Sequence, residues 1–543
     1  MRTEKKPVVL IILDGWGMAI EKKGNAVFLA NTPNFDKYFK AYPKTMLSAS
    51  GEDVGLPHGE PGNSEAGHLN LGAGKIVFQE LPSIDMAIAS GTFSKNKAFL
   101  KAIEHSKKNN SNLHLMGLVS TGNVHSNFGH LLALLNLAKT NGLSQVYLHL
   151  FTDGRDSPPH SSIQVIGELE KKMEDIGIGK IASISGRYYA MDRDYRWERI
   201  EKAYKTITSG SEIKFNSALE GILSSHKQEI TDEFIEPFNI TDGDGLHLVE
   251  DNDSVIFYNY RIDRPRELTK AFVIPDFEDI LPNKSAFDPY AEKYGLKQYS
   301  PPKVQRTFKR KKILKNILFS TMTEYEPGLP VQVAFYPGKV SLPLARIISE
   351  KNLRQLHVAE TEKERHVTYY FNGRREQPFP REDWLEIPSP KIAKYDAQPE
   401  MSAYGITEAV LKRLKLRVYD FILINFANPD MVAHTGNLEA TIKACEAVDD
   451  CVGQIAQTAL NLEGVCFITA DHGNAEELID LKTGGIDTQH STYPVPFIAI
   501  SNKFRETPTI LTRGILADVA PTILQALDIE KPSIMMGNSL FRI

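Results

Sequence analysis

Only three cysteines, Cys445, Cys451 and Cys466, occur in 543 residues. They cannot all pair, and none sits in a CxxC or Cys–His spacing. A disulfide framework and a structural zinc finger are therefore excluded, and buried reduced thiols are expected. No apolar run is long enough to span a membrane. Positive charge is not in excess: 63 Lys and Arg stand against 68 Asp and Glu, a net charge of −5. No bulk field draws this chain to nucleic acid, so any anion must be held by local clusters. The aromatic and basic stretch YYAMDRDYRWER does not change that, because Asp192, Asp194 and Glu198 cancel its field. Internal repeats are also missing.

What is present is ordinary for a globular protein, 42% apolar and 24% charged. A chain of 543 residues exceeds one core, so two or more domains are expected. An apolar run begins at Pro7, which leaves no room for a signal peptide, and a cytoplasmic location is expected.

Residues 7–17 read PVVLIILDGWG, an apolar run that ends in Asp14 and a turn. Such a run predicts a strand buried on both faces of a parallel sheet, and functional groups gather at the carboxyl ends of those strands. Residues 420–434, DFILINFANPDMVAH, repeat the pattern and end in Asp430 and His434. Residues 464–476, GVCFITADHGNAE, end in Asp471 and His472, and His490 precedes a further apolar run in TQHSTYPVPF. One strand-end Asp is usually a cap or turn former. Three carboxylates and three histidines at one sheet edge form a donor set suited to divalent ions. The segment GNSEAGHLNLGAGK, residues 62–75, reads as a loop of small residues around Ser64, with Glu65 beside it and His68 four residues on. A serine there is a candidate phosphoryl acceptor.

A different set of motifs lies between these ligands. His125 follows LMGLVSTGNV, and Asp153, Arg155 and Asp156 follow VYLHLFT. Arg187 and Arg193 flank GRYYAMDR, and Arg261 and Arg264 follow SVIFYNY. Five arginines at separate strand ends would clamp phosphate and carboxylate oxygens. The apolar strands alternate with helical stretches, which argues a second α/β unit inserted into the first. The breaks fall near 75–80 and near the Pro- and Gly-rich EPGLPVQVAFYPGK. Residues 282–312 are poor in pattern and end in RTFKRKK, read as a solvated surface, with a docking patch as the rival.

LDGWG, GNSEAGHLNLGAG, FTDGRD, GRYYAMDRD, NYRIDR, NPDMVAH, TADHGNAE and HSTYPVPF follow one another in the chain. In this order the motifs resemble those of the cofactor-independent phosphoglycerate mutases, within the alkaline-phosphatase-like metalloenzymes, over nearly the whole length. The resemblance implies an α/β protein of two α/β domains. A metal-binding domain, residues 1–78 and 337–543, would be interrupted by a substrate-binding domain at 79–336, joined by two hinges. It implies interconversion of 3- and 2-phosphoglycerate, in glycolysis and gluconeogenesis, through a phosphoserine at Ser64. It implies two divalent ions, with Mn2+ favoured over Mg2+, Co2+ or Zn2+. Asp14, Asp471 and His472 would hold one ion and activate Ser64; Asp430, His434 and His490 would hold the other. Lys363 matches a lysine that contacts the phosphoryl group. His125 and the arginines would hold glycerate while Asp156 serves as acid and base. A monomer is implied. The rivals are a metal-dependent phosphatase or phosphodiesterase, a sugar-phosphate mutase and an inactive scaffold protein.

Overall fold

The computed structural model describes residues 6–241, 243, 245–280, 306–338, 340–506 and 509–542. The chain divides into two compact units, Met1–Pro82 with Gly338–Ile543, and Ser83–Pro337. Both are α/β, each built on an eight-stranded sheet.

In the first unit the sheet runs Glu382–Ile387, Gln355–Glu360, Phe421–Phe426, Val8–Leu13, Val465–Thr469, Val495–Ile500, Lys44–Ser48, Gly514–Ile515. The first five strands are parallel, and the next two pairings are antiparallel. VVLIIL and FILINF pair in register from Val8–Phe421 to Leu13–Phe426. Both strands are buried along their whole length, which is why they read as continuous apolar runs rather than alternating ones. Their parallel register brings the residues that follow them, Asp14 and Ala427 onward, to the same edge.

The second unit repeats this logic. Its sheet runs Gln332–Phe335, Leu318–Thr323, Ser254–Phe257, Leu113–Val119, Val146–Thr152, Lys180–Gly186, Phe238–Ile240, Lys214–Phe215. The first six strands are parallel. Helices Phe128–Thr140 and Ser162–Ile176 follow two of these strands, as parallel connections require. Side chains such as Met116, Phe151, Phe257 and Phe319 pack into a core separate from that of the first unit.

Two readings of the sequence are corrected. The segment around Ser64 is not a loop: Ser64–Ala73 is a helix, capped by Asn63, whose side chain accepts from the Ala66 N–H. Its glycines serve close packing. A Cβ at Gly67 would come within 2.5 Å of the Asp471 carbonyl oxygen, and one at Gly72 within 2.0 Å of the Phe371 carbonyl oxygen. The basic run is also not a uniformly solvated surface, although residues 282–305 lie outside those described. Phe308 and Arg310 are buried. Arg310 donates to the carbonyls of Ala271, Ile274 and Pro275 at 2.7–3.1 Å and to Glu278 at 2.8–2.9 Å. It closes the carboxyl end of helix Arg266–Val273, where free carbonyls need a cationic donor. The three cysteines are buried and unpaired. No helix among the described residues is long and apolar enough to cross a membrane.

Candidate active site

Four adjacent parallel strands of the first unit deliver its polar cluster. Val8–Leu13 leads to Asp14, Phe421–Phe426 to Asp430, Val465–Thr469 to Asp471 and His472, and Gln355–Glu360 to Lys363. Ser64 is the first residue of its helix, so its hydroxyl sits at the end where unpaired N–H groups favour an anion.

The Ser64 Oγ lies 2.7 Å from Lys363 Nζ, 2.9 Å from His472 Nε2 and 3.3 Å from Asp14 Oδ1. His472 Nε2 is 3.5 Å from both Asp14 Oδ1 and Asp471 Oδ2. On the other side, Asp430 Oδ1 is 3.3 Å from His434 Nε2 and 3.4 Å from His490 Nε2, and the two imidazole nitrogens are 3.1 Å apart. Ser64 and the six metal ligands expected from the sequence therefore converge. The division between two ions is less sharp than the resemblance implied. The His472 donor atom also groups with those of Asp430 and His490, and their rings bring His472 and His490 within 4.0 Å between centroids.

The cluster is buried and rich in carboxylates. Asp14, Asp430 and Asp471 are inaccessible or nearly so. Lys363 donates to Asp14 Oδ1 at 2.6 Å and to Asp430 Oδ2 at 2.7 Å. Burial pulls the Lys363 ammonium down, but Asp14, Asp430 and Asp471 outweigh it and hold the group well above the ordinary lysine value. Burial likewise lowers His472, and Asp471, Asp14 and Asp430 overcome it to bring the imidazole to about 9. Asp471 Oδ2 is buried without a hydrogen bond. Three clustered buried carboxylates, a carboxylate oxygen without a hydrogen bond and a mixed oxygen and imidazole donor set fit divalent cations.

Sequence reasoning left two neighbours unassigned. His68 Nδ1 lies 2.9 Å from the Ser64 carbonyl and 3.2 Å from Asp471 Oδ2, and its Nε2 faces the Asn425 amide at 3.0 Å. Asn425 also donates to Asp14 Oδ2 at 2.7 Å. Asn425 left a signal: it is the one polar residue in the strand FILINF.

The second unit holds a separate polar cluster at the carboxyl ends of four neighbouring strands. Arg187 donates from NH1 to Asp153 Oδ1 at 2.7 Å and to Asp156 Oδ2 at 2.5 Å, and from NH2 to His125 Nε2 at 2.9 Å. Arginine cannot accept, so His125 Nε2 carries the lone pair and Nδ1 the proton. That Nδ1 is buried without a hydrogen bond, as is Arg187 Nε. Burial first, then the Arg187 guanidinium, pushes His125 down to about 3, so it is neutral near pH 7. Asp153 has its acceptor capacity filled by Ser120 Oγ, the Arg155 and Asp156 N–H groups and Arg187. It shapes the turn and holds Arg187.

Asp263, which the sequence reading passed over between Arg261 and Arg264, organises the rest. It accepts from Arg193 at 2.9 Å and from Arg261 at 3.1 Å. Arg264 donates to the Met191 carbonyl at 3.0 Å. Burial, then Arg187 and Arg193, lowers Arg264 to about 10, the mark of a cation among cations that an anion would relieve. Arg155 stands apart: its side chain is 55% exposed and its ion pair is with Glu233 at 3.6 Å.

Comparison with known proteins agrees with this chemistry. Residues 84–327 match the family model described as the BPG-independent PGAM N-terminus. The chain is 50% identical over 542 residues to a 2,3-bisphosphoglycerate-independent phosphoglycerate mutase of Chloroflexus aggregans, covering 99% of each chain. It is 50% identical over 538 residues to an enzyme of the same name from Clostridium perfringens, again covering 99% of each. A crystal structure of Leishmania mexicana phosphoglycerate mutase, solved at low cobalt concentration, aligns with a TM-score of 0.59 and 30% identity over 99% of this chain and 98% of that one. By full-length identity to these relatives, the chain belongs to the family of 2,3-bisphosphoglycerate-independent phosphoglycerate mutases.

Proposed function

We propose that this chain interconverts 3-phosphoglycerate and 2-phosphoglycerate through a phosphoserine at Ser64. The observation that carries the reading is the Ser64 hydroxyl itself. It heads a helix and is held within 3.3 Å of Lys363, His472 and Asp14, in a chain that also carries an Arg, His and Asp cluster matched to a small phosphorylated acid.

Ser64, as its alkoxide, attacks phosphorus, the bond from phosphorus to the glycerate oxygen breaks, and the alkoxide is regenerated when the phosphoryl group returns to glycerate. Lys363 neutralises a phosphoryl oxygen as it is transferred. Two divalent ions, Mn2+ by preference and Mg2+, Co2+ or Zn2+ as alternatives, would lower the serine pKa and offset phosphoryl charge when bound. Asp14, Asp471, His472 and Ser64 would hold one, and Asp430, His434 and His490 the other. Asp156 gives its proton to the departing glycerate oxygen. It then takes the proton of the other hydroxyl as that oxygen attacks the phosphoserine, so one carboxyl serves both half-reactions. His125 Nδ1–H and the guanidinium groups of Arg187, Arg193, Arg261 and Arg264 hold the glycerate between the two transfers. Arg155, turned toward Glu233, is the clamp member with the weakest geometric support. The reaction requires no protein partner, and we read the chain as a monomer acting in the cytoplasm.

The test is mutase activity on 3-phosphoglycerate after chelation, then with Mn2+ restored and 2,3-bisphosphoglycerate absent. Formation of 2-phosphoglycerate that returns with Mn2+ supports the reading. Release of inorganic phosphate instead would make the chain a phosphatase and remove the clamp from the mechanism.

A further inference from the structure

Asp14, the pair Asp471 and His472, and His490 sit on three separate loops, and one buried carboxylate outside the metal-site set touches all three. Glu476 is 2% exposed. Its Oε2 accepts from the Gly17 N–H at 3.0 Å and from the Asn474 N–H at 2.8 Å, and its Oε1 accepts from the Ser491 hydroxyl. Gly17 lies three residues after Asp14, Asn474 two after His472, and Ser491 directly follows His490. The Asn474 side chain continues the chain of contacts, donating to Asp430 Oδ1 at 2.7 Å. Two of the loops around the carboxylate are trimmed to receive it. A Cβ on Gly17 or on Gly473 would come within 2.2 Å of Glu476 side-chain atoms. The backbone bond from Ser491 N–H to the Gly473 carbonyl, 3.0 Å, fastens two of the loops directly beside it.

We propose that Glu476 is the positioning residue of the metal site, fixing the loops of Asp14, of Asp471 and His472, and of His490 in one arrangement. The inference rests on the reading of those residues as metal ligands. A carboxylate is suited to the task because it is acceptor-only and offers two oxygens to three donors on three loops. Burial raises its carboxyl from the ordinary value, while the Ser491 hydroxyl and the backbone N–H groups draw it back toward the charged form. Backbone bonds join these loops in pairs, from the Asn474 and Ala475 N–H groups to the Gly15 carbonyl at 3.0 and 2.9 Å and across the bridge between Gly473 and Ser491, and the Glu476 carboxylate ties all three together. Groups that hold metal ligands in this way govern metal affinity, and their loss typically weakens binding about 10–100-fold.

The experiment is Mn2+ binding to the full-length, metal-free chain, followed by calorimetry and by the electron paramagnetic resonance of free Mn2+. Glu476→Ala removes all three ties, and Mn2+ affinity is expected to fall about 10–100-fold at both sites. Glu476→Gln keeps an oxygen for the two backbone N–H groups and turns an amide toward Ser491, whose hydroxyl can rotate to accept. It is expected to bind within about threefold of wild type, which a role resting on net charge would not allow. Ser491→Ala cuts only the His490 loop, so about a tenfold loss is expected at one site with the other kept. A Glu476→Ala chain with an unchanged circular dichroism spectrum and wild-type Mn2+ affinity overturns the inference. If that variant does not fold, Ser491→Ala decides: no loss, or equal loss at both sites, overturns it. A wild-type chain that takes up no Mn2+ overturns the metal reading itself, and the inference with it.

Discussion

Lys363 Nζ lies 2.7 Å from Ser64 Oγ while donating at 2.6 Å to Asp14 Oδ1. The proposed nucleophile and the cation that would meet its phosphoryl group are thus in contact before substrate arrives. The lysine also spans Asp14 and Asp430, which the proposed function assigns to different ions. It is in position to neutralise phosphate on one face and carboxylate on the other.

Lys363→Met should therefore act twice. Without the ammonium, Asp14 and Asp430 are left buried and facing each other, and breaking a buried ion pair costs about 3–5 kcal/mol. Metal-free protein is expected to lose stability on that scale and to regain much of it when Mn2+ is added, because the ion restores positive charge between the carboxylates. Activity in saturating Mn2+ should fall about 10²–10³-fold, the usual cost of losing one charge-stabilising donor. Denaturant titrations with and without Mn2+ check the first effect, and a variant equally destabilised in both would refute it.

Ser64→Ala removes the acceptor while leaving the helix N-terminus capped by Asn63. No phosphoenzyme should be found by intact-protein mass spectrometry after mixing with substrate, and mutase turnover should be undetectable. Clear residual turnover would show that phosphate passes by another route.

The parts of the fold that could be read from the chain are those in which local pattern and tertiary placement coincide. VVLIIL and FILINF are apolar throughout because both faces are covered, and a parallel sheet fixes which end carries function. Asp14, Asp430 and Asp471 follow from that rule alone. Ser64 was legible as a candidate but not its helix, since four glycines in fourteen residues read as a loop until Asp471 and Phe371 are seen packed against two of them. His68, Asn425, Asp263 and Glu476 were not legible as site residues, because the role of each depends on at least one partner far away in sequence. Arg310 was hidden for a different reason: composition marks a basic run as exposed, and only the free carbonyls at Ala271 and Ile274 give it a reason to be buried.

Asp156→Asn tests the second unit without touching the metal residues. The amide can still accept from Arg187 at its one oxygen, so binding should survive, but it cannot release or take a proton. The expected result is a loss of about 10²–10⁴ in kcat, the range assigned to a general acid–base group, with KM little changed. Mn2+ affinity should match wild type. A near-normal kcat would remove Asp156 from the proton transfers.

Gly67→Ala tests whether the glycine of the nucleophile helix is there for packing. The added Cβ would meet the Asp471 carbonyl oxygen at 2.5 Å, and that atom is backbone, which cannot swing aside. Either the helix bearing Ser64 or the loop bearing Asp471 must shift. Overpacking of this kind costs about 1–3 kcal/mol, although alanine favours helix over glycine by about 1 kcal/mol. The net should be destabilising, with activity reduced more than stability alone explains, since the shift separates Ser64 from its neighbours. A stabilised and fully active variant would mean that the helix has room there.

The acid side of the stability profile tests the state of His125. Burial and the surrounding arginines, Arg187, Arg261 and Arg264, hold it down to about 3, against the opposing pull of Asp263. An unfolded chain binds a proton at this imidazole below about pH 6.5, whereas the folded chain does not until near pH 3. The unfolded state therefore holds more protons in that window, and stability contributed by His125 is present above about 6.5 and lost as the pH falls through it. By pH 5 the loss from this one group is about 2 kcal/mol. His130 and His149, also lowered by burial, act in the same direction, so the isolated effect must be read as a difference. His125→Asn should shrink the fall in unfolding free energy between pH 8 and pH 5 by about 2 kcal/mol relative to wild type. An unchanged pH dependence would mean that His125 takes up a proton in the folded protein, and a charged imidazole could not accept the hydrogen bond that Arg187 gives it.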